Sequence, residues 1–127
     1  MERLRKRADF VAAAGGVKIP AASFVLQARD RRDSGPSRVG FTVSKKVGNA
    51  VERNRVRRRL REIVRLKADG AFRPGHDYVL VGRRAALSAT FSSIVADYDR
   101  ALGRAHTTRH TASANAGTPV KTKSRSL

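Results

Sequence analysis

One stretch, residues 41–67, restricts the fold of this chain most, because it joins a strand pattern directly to a helix pattern. The segment RVGFTVS at residues 38–44 alternates, with Val39, Phe41 and Val43 on one side and small or polar residues on the other. The pattern predicts a strand with one side facing a core. Its other side is small enough to let another backbone come close.

The helix that follows has a clear start. Asn49 is a good N-cap, and Glu52, three residues later, can reach back as in a capping box. Gly70 and then Pro74 mark the end of the element. At about 100° per residue, four apolar side chains form one buried stripe. They are Val56, Leu60, Ile63 and Val64.

The remainder of this helix is strongly basic. Residues 51–67 contain seven arginines and one lysine against two glutamates, and the whole chain has a net charge of +18. This charge favours a nucleic acid partner, because neutralising phosphates releases counterions. Arginine binds phosphate through a planar fork and stacks on bases, which favours structured nucleic acid. No dimerising heptads follow residue 67, and the paired aromatics of the common RNA-binding sheet are missing, so backbone and shape recognition of folded RNA fits best.

Other functions find little support in the residues. The chain has no cysteine, its ten acidic residues are scattered, and it contains no glycine-rich phosphate loop before a helix. His76 and Asp77 could form an acid/base pair, but a strand-entry turn is the favoured interpretation. No run approaches the roughly 20 apolar residues of a membrane span. We therefore predict a cytoplasmic protein without a membrane partner, a metal site or catalytic residues of its own.

The rest of the chain supplies shorter elements. We predict a frayed segment at 1–7, a helix at 8–14, and strands at 22–29 and 76–84. The strand at 22–29 is expected to form an antiparallel hairpin with the one at 38–44. A second amphipathic helix begins near residue 91 and ends by residue 102.

The residues VSKKVGNAVERNRVRRRLRE, at 43–62, resemble the signature of the protein subunit of bacterial ribonuclease P. Arg53-Asn54-Arg55 is the centre of that signature. The likeness extends to ADF near the start, to FVL in the first predicted strand, and to DYVLVGRRAA after the basic helix. It covers roughly residues 3–102.

The resemblance implies an α+β fold with the order α-β-β-β-α-β-α, a two-layer sandwich like the second domain of ribosomal protein S5. It also implies a left-handed βαβ crossover, against the usual rule, and an extra strand near residues 17–20. The domain would occupy residues 1–102. Residues 103–127, rich in Ser, Thr, Ala and Gly, would form a basic disordered tail.

The resemblance further implies an RNA-binding component of ribonuclease P, a ribonucleoprotein endoribonuclease that removes the 5′ leader from precursor tRNA. The chain would assist a catalytic RNA by binding the leader and stabilising the active RNA conformation. Mg²⁺ held chiefly by that RNA would activate the attacking water. The partners would be the catalytic RNA and precursor tRNA, with no small-molecule substrate. The alternatives are a ribosome-associated structural RNA-binding protein and a self-sufficient nuclease.

Two surfaces follow from the family pattern, one for each RNA. The surface for the catalytic RNA comprises Arg53, Asn54, Arg55, Arg57, Arg58 and Arg61. The leader-binding cleft comprises Phe10, Thr42, Ser44, Lys45 and Lys46, with Arg57 near its rim. Small polar residues on the strand would give access to the backbone, and Phe10 could stack on a base.

This chain departs from the family pattern at two positions. Ala14 stands where many relatives have a second cleft aromatic, so we expect weaker leader contact or partial replacement by Phe41 or Phe24. Arg59 stands where an apolar residue is common, and we expect it to expose more of the helix rim.

Overall fold

The computed structural model describes residues 2–67 and 72–114, with side chains described as far as residue 107. Within these ranges the chain forms five strands and three α-helices. Their bounds are β1 Glu2–Arg3, α1 Arg7–Ala14, β2 Val17–Pro20, β3 Phe24–Asp30, β4 Arg38–Val43, α2 Ala50–Leu66, β5 His76–Gly82 and α3 Phe91–Ala114. Short 3₁₀ helices lie at Lys45–Val47 and Arg84–Leu87. The predicted α+β order is confirmed, with β1 added in front.

All five strands belong to one mixed sheet in the order β1-β4-β5-β3-β2. β4 runs parallel to β1 and β5, whereas β3 runs antiparallel to β2 and β5. The crossover between the parallel strands β4 and β5 passes through α2, which agrees with the βαβ unit that the family resemblance implied. The extra strand expected at residues 17–20 is also present, as β2.

The predicted hairpin between β3 and β4 is wrong. β5 lies between them and pairs with both, so that Val79 has Gln27 on one side and Gly40 on the other. The reason is burial: β5 is buried along nearly its whole length. A strand that is apolar on both faces is stable only inside a sheet that is covered on both sides.

The helices cover the two faces of the sheet unequally. α2 and α3 pack on the face that carries Tyr78 and Leu80, and this face holds the main core. α1 packs on the other face, where Val79 belongs to a smaller buried cluster with Leu4 and Ala13. The single helix leaves part of its face open.

α2 confirms the prediction made from its cap and stripe. The side chain of Asn49 accepts from the N–H of Glu52 at 2.9 Å, and the Glu52 carboxylate accepts from the N–H of Asn49 at 3.0 Å. The four stripe residues are all buried. At Gly82 the helix approaches β5 so closely that a Cβ would stand 2.5 Å from Val56 Cγ1. The strand therefore needs glycine there for α2 to pack.

The prediction of a frayed N-terminus is wrong for residues 2–7. Glu2 and Arg3 pair with β4, and the N–H of Leu4 donates to the carbonyl of Val39 at 2.8 Å. Leu4 is only 5% exposed, because it packs under α1. One leucine among basic residues gives no periodicity, so the sequence pattern could not reveal this strand.

The predicted end of the second amphipathic helix at residue 102 is too early. α3 continues to Ala114, and both Leu102 and Ala105 are buried against the core. The hydroxyl of Tyr78 lies 3.0 Å from His106 Nε2, which ties this part of α3 to β5. The rest of the predicted tail, residues 115–127, lies outside the described residues. None of the described helices is long and apolar enough to cross a membrane.

Asp77 has a structural role at the start of β5. Its carboxylate is fully buried, and Arg38 donates to both oxygens at 2.8 Å while Arg31 donates to one of them. Burial raises the pKa of Asp77, but the hydrogen bonds from Arg38 and Arg31 outweigh this effect and hold the pKa below its ordinary value. His76 points elsewhere, with Nδ1 2.8 Å from the carbonyl oxygen of Pro74. The two residues do not form an acid/base pair.

Candidate RNA-binding surfaces

The outer flank of α2 carries a shallow, strongly positive pocket. It has a volume of about 260 Å³ and is lined by Asn54, Arg57, Arg58 and Arg61. Arg57 Nη1 donates to Asn54 Oδ1 at 2.8 Å, so an uncharged partner orients this guanidinium. Within the described part of the chain, none of these three arginines forms a salt bridge with a carboxylate. Their charge is therefore available to an anionic ligand.

Arg61 is the most constrained member of this basic flank. Its guanidinium carbon lies 5.8 Å from the centroid of the Phe41 ring, and its Nε is buried without a hydrogen-bond partner among the described residues. Burial lowers the pKa of Arg61, and the positive charges of Arg3 and Arg57 lower it further. An anion bound here would relieve the repulsion between these positive charges.

Arg53 and Arg55, also predicted for the catalytic RNA, lie outside the pocket. Arg53 turns back toward the start of α2, where Nη1 donates to the carbonyl of Gly48 at 3.0 Å. Arg55 is exposed on α2. The structure thus brings together four of the six predicted residues and leaves these two beside them.

Arg59 does not expose the rim of α2 as expected. Its guanidinium donates to the carbonyl oxygens of Leu87 at 3.2 Å and Ala89 at 2.6 Å. These carbonyls lie in the connection that leads into α3, where they need donors. Arg59 therefore joins α2 to the start of α3, a role that an apolar residue could not perform through hydrogen bonds.

The open part of the other sheet face forms a cleft of about 650 Å³. α1 provides one wall and the strands β3, β4 and β5 provide the floor. The residues that line it are Arg5, Arg7, Phe10, Val11, Ala14, Gln27, Phe41, Thr42, Val79 and Val81. The floor is largely apolar, and the two arginines precede or begin α1.

The predicted leader-binding residues divide between this cleft and the turn after β4. Phe10 and Thr42 line the cleft, whereas Ser44, Lys45 and Lys46 are exposed in the turn. Ser44 follows Thr42 by two residues, which continues the same side of the strand past its end. The two lysines extend the positive charge beyond the cleft rather than lining it.

Two arginines hold that lysine turn in place. Arg84 Nη1 donates to the carbonyl of Val47, and Arg53 donates to the next carbonyl, that of Gly48. Arg84 Nη2 also lies 3.7 Å from the carboxylate of Glu52. The carbonyls of Val47 and Gly48 therefore accept hydrogen bonds from arginine side chains rather than from water. Lys45 and Lys46 remain exposed.

The cleft contains residues that the sequence argument missed. Gln27 is the polar residue on the floor contributed by β3, and Arg5 and Arg7 lie at the α1 side. Strand alternation could have found Gln27, because its neighbours Leu26 and Ala28 both face the main core. Arg5 and Arg7 gave no signal, since they belong to a segment predicted to be frayed.

The aromatics expected to compensate for Ala14 behave differently from one another. Phe24 is fully buried in the main core and cannot reach the cleft. Phe41 borders the cleft, but its ring lies beneath Arg61 of the basic flank. Phe10 is thus the aromatic that α1 presents to the cleft, beside the small side chain of Ala14.

Comparison with known proteins identifies the relatives of this chain. A family model described as "Ribonuclease P" matches residues 1–106. The chain is 52% identical over 104 residues to the "Ribonuclease P protein component" of Gluconacetobacter diazotrophicus, covering 81% of this chain and 90% of that protein. It is 51% identical over 107 residues to the protein of the same name from Ruegeria pomeroyi, covering 81% and 85%.

Solved structures show the same likeness in the fold. The RNase P protein of Staphylococcus aureus aligns with a TM-score of 0.69 at 28% identity, covering 83% of this chain and 95% of that one. The RNase P protein of Thermotoga maritima aligns with a TM-score of 0.68 at 30% identity, covering 82% and 97%.

Proposed function

This chain belongs to the ribonuclease P protein family, and from that premise we propose how its two surfaces divide the work. The basic flank of α2 docks on the catalytic RNA. The cleft on the opposite face of the sheet holds the single-stranded 5′ leader of precursor tRNA. One small protein can then contact both RNAs at once, because the cleft and the pocket on α2 share no lining residue.

Family membership establishes the coarser function directly. The chain is the protein component of a ribonucleoprotein enzyme that processes tRNA, and its partner is the ribonuclease P RNA. A catalytic centre in the RNA fits this family. The ribosome-associated alternative is not favoured, since the relatives above carry the ribonuclease P name.

The observation that carries the docking proposal is the unpaired charge on α2. Arg57, Arg58 and Arg61 share one pocket without a carboxylate among the described residues. A solvated structural helix more often balances such charges with acids at neighbouring turns, as Glu62 does for Arg65 in this same helix. Phosphates of the RNA would supply the missing negative charge.

Three features of the cleft support leader binding. Its floor is apolar and its volume, about 650 Å³, admits unpaired bases. The ring of Phe10 offers a stacking surface, worth about 1–3 kcal/mol per base in other single-strand binders. Arg5 and Arg7 on one side, with Lys45 and Lys46 beyond the end of β4, can follow the phosphates of the strand.

Magnesium belongs to the RNA in this proposal. Within the described ranges, no group of three His, Asp or Glu side chains is arranged to hold a metal ion. The most deeply buried acid among the described residues, Asp77, is already bound by two arginines. When bound by the RNA, Mg²⁺ supplies an activated water for hydrolysis of the phosphodiester. The protein residues bind and orient the substrate.

Reconstitution tests the proposal. The full chain is mixed with a bacterial ribonuclease P RNA and precursor tRNA at low Mg²⁺ concentration, and leader cleavage is followed. We expect the protein to stimulate cleavage, and to lose affinity for the catalytic RNA when both Arg57 and Arg61 are replaced by glutamine. The double variant should also flatten the dependence of affinity on salt, by about two in the log–log slope. An unchanged slope would exclude phosphate contacts by this flank.

A further inference from the structure

We propose that Arg3, on the two-residue edge strand β1, joins Arg61 of α2 in binding one phosphodiester of the catalytic RNA. This inference rests on the docking surface proposed above and extends it from α2 to the edge of the sheet. It makes the N-terminal residues part of the RNA interface.

Strand geometry places Arg3 on the α2 side of the sheet. In the parallel β1–β4 pair, Arg3 is the partner of Val39, whose side chain belongs to the main core beneath α2 and α3. Partners in a ladder point to the same face, and neighbours along a strand point to opposite faces. Leu4, the next residue, lies on the other face, in the cluster beneath α1.

Arg61 lies over the same part of β4. Its guanidinium carbon is 5.8 Å from the ring centroid of Phe41, which follows Val39 by two residues on the same face. The edge residue Arg3 and the helix residue Arg61 therefore approach the same segment of β4 from two sides. Burial lowers the pKa of Arg61, and the positive charges of Arg3 and Arg57 lower it further, which agrees with this placement.

Arg3 lines a pocket at the edge of the sheet with Glu2 and Asp9, but neither acid forms a salt bridge with it. Among the described residues, no carboxylate forms a salt bridge with Arg3 or Arg61, and the buried Nε of Arg61 has no hydrogen-bond acceptor. Two like charges on the same side of β4, without a salt bridge to an acid, repel each other, and an anion bound between them would relieve that repulsion. A phosphodiester is the anion that a ribonucleic acid partner presents along its whole length.

Single and double variants of the full chain test this assignment. Arg3→Gln, Arg61→Gln and the double variant are titrated against the catalytic RNA at several salt concentrations, and binding of precursor tRNA by the assembled enzyme is measured separately. Arg104→Gln serves as the matched control, because Arg104 is an exposed arginine on α3 that lines neither the cleft nor the pocket on α2. Thermal unfolding of each variant, followed by circular dichroism, shows that the fold is retained.

The expected result has two parts. Arg3→Gln should lower the affinity for the catalytic RNA. Its affinity should also fall less steeply with salt: between about 50 and 200 mM monovalent salt, the fold-loss of affinity should be about threefold smaller than that of the wild-type chain, as expected for one missing phosphate contact. In the Arg61→Gln background, Arg3→Gln should cost much less than it does alone, because the shared phosphate is already lost.

Three results would overturn the inference. Arg3→Gln could behave like Arg104→Gln, or its effect could add fully to that of Arg61→Gln. It could also spare the catalytic RNA and weaken precursor tRNA binding instead, which would assign Arg3 to the cleft. If Arg3→Gln has no effect while the Arg57/Arg61 double variant loses affinity, the inference alone fails. If neither loses affinity, the docking proposal itself fails.

Discussion

The ring of Phe10 lies directly against the backbone of Gly40. A Cβ at position 40 would stand 2.6 Å from both Cε1 and Cζ of that ring. The absence of a side chain at Gly40 therefore leaves the space that the Phe10 ring of α1 occupies. Phe10 is half-buried there, beside the cluster of Leu4, Ala13 and Val79. It is both a packing residue and part of the cleft wall.

Replacing Gly40 by alanine should displace the Phe10 ring. We expect weaker binding of precursor tRNA by the assembled enzyme, and a stability loss of about 1–3 kcal/mol from overpacking. Gly103→Ala is the matched control, since a Cβ at position 103 meets nothing within 4 Å. Affinities for precursor and mature tRNA provide the measurement. An equal loss of affinity for precursor and mature tRNA would show that Gly40 does not contribute to leader binding.

Removing the ring itself gives a more direct test of stacking. Phe10→Ala should weaken precursor tRNA binding by about 1–3 kcal/mol and leave mature tRNA binding nearly unchanged. Phe91→Ala provides the control, because Phe91 is 40% exposed at the start of α3 and does not line the cleft. If Phe10→Ala only lowers the melting temperature, Phe10 serves the core and not the leader.

The buried carboxylate of Asp77 should make the stability of the fold depend on pH. Burial raises its pKa, but Arg38 and Arg31 lower it by more, so the folded-state pKa lies below the unfolded value of about 3.9. A group of this kind stabilises the fold above its unfolded pKa, and the contribution is lost as the pH falls toward the folded pKa. Asp77→Asn should therefore cost about 3 kcal/mol at pH 7 and progressively less below about pH 4.

Chemical unfolding of the wild type and of Asp77→Asn, measured from about pH 3 to about pH 7, checks this expectation, because the stability difference should develop within that range. Asp99→Asn is the control, because Asp99 is an exposed partner of Lys67 and such pairs contribute roughly 0–1 kcal/mol. A stability difference between wild type and Asp77→Asn that stays constant with pH would contradict the assigned role.

Local signals predicted α2 well because the information lies within the element. Asn49 and Glu52 form the capping box that their spacing indicated, and the 3.6-residue period identified the buried stripe. These features depend on residues close in sequence, which pattern analysis can compare directly.

The features that the sequence did not predict share one cause, which is strand pairing between segments far apart in the sequence. β1 exists because Leu4 packs beneath α1 and because β4 has a free edge, and neither fact is visible in the first seven residues. In the same way, the position of β5 between β3 and β4 follows from the burial of its two faces. Arg5 and Gln27 meet in the cleft only once that strand order is known.

Two asparagines near the start of α2 should separate stability from RNA binding. Asn49 caps the helix, whereas Asn54 accepts the hydrogen bond that orients Arg57. Asn49→Ala should cost about 1 kcal/mol of stability through the lost cap. Asn54→Ala should leave stability unchanged or raise it by about 0.5 kcal/mol, because alanine is the better helix former.

The effects of the two substitutions on affinity for the catalytic RNA should follow the opposite order. Asn54→Ala frees the guanidinium of Arg57 and should lower affinity several-fold, while the salt dependence stays nearly constant because no charge is removed. Asn49→Ala should leave affinity unchanged at temperatures well below its melting point. Each variant therefore controls for the other, with unfolding curves and RNA titrations as the measurements. A loss of RNA affinity that merely follows the loss of stability in both variants would show that Asn54 does not orient Arg57 for RNA binding.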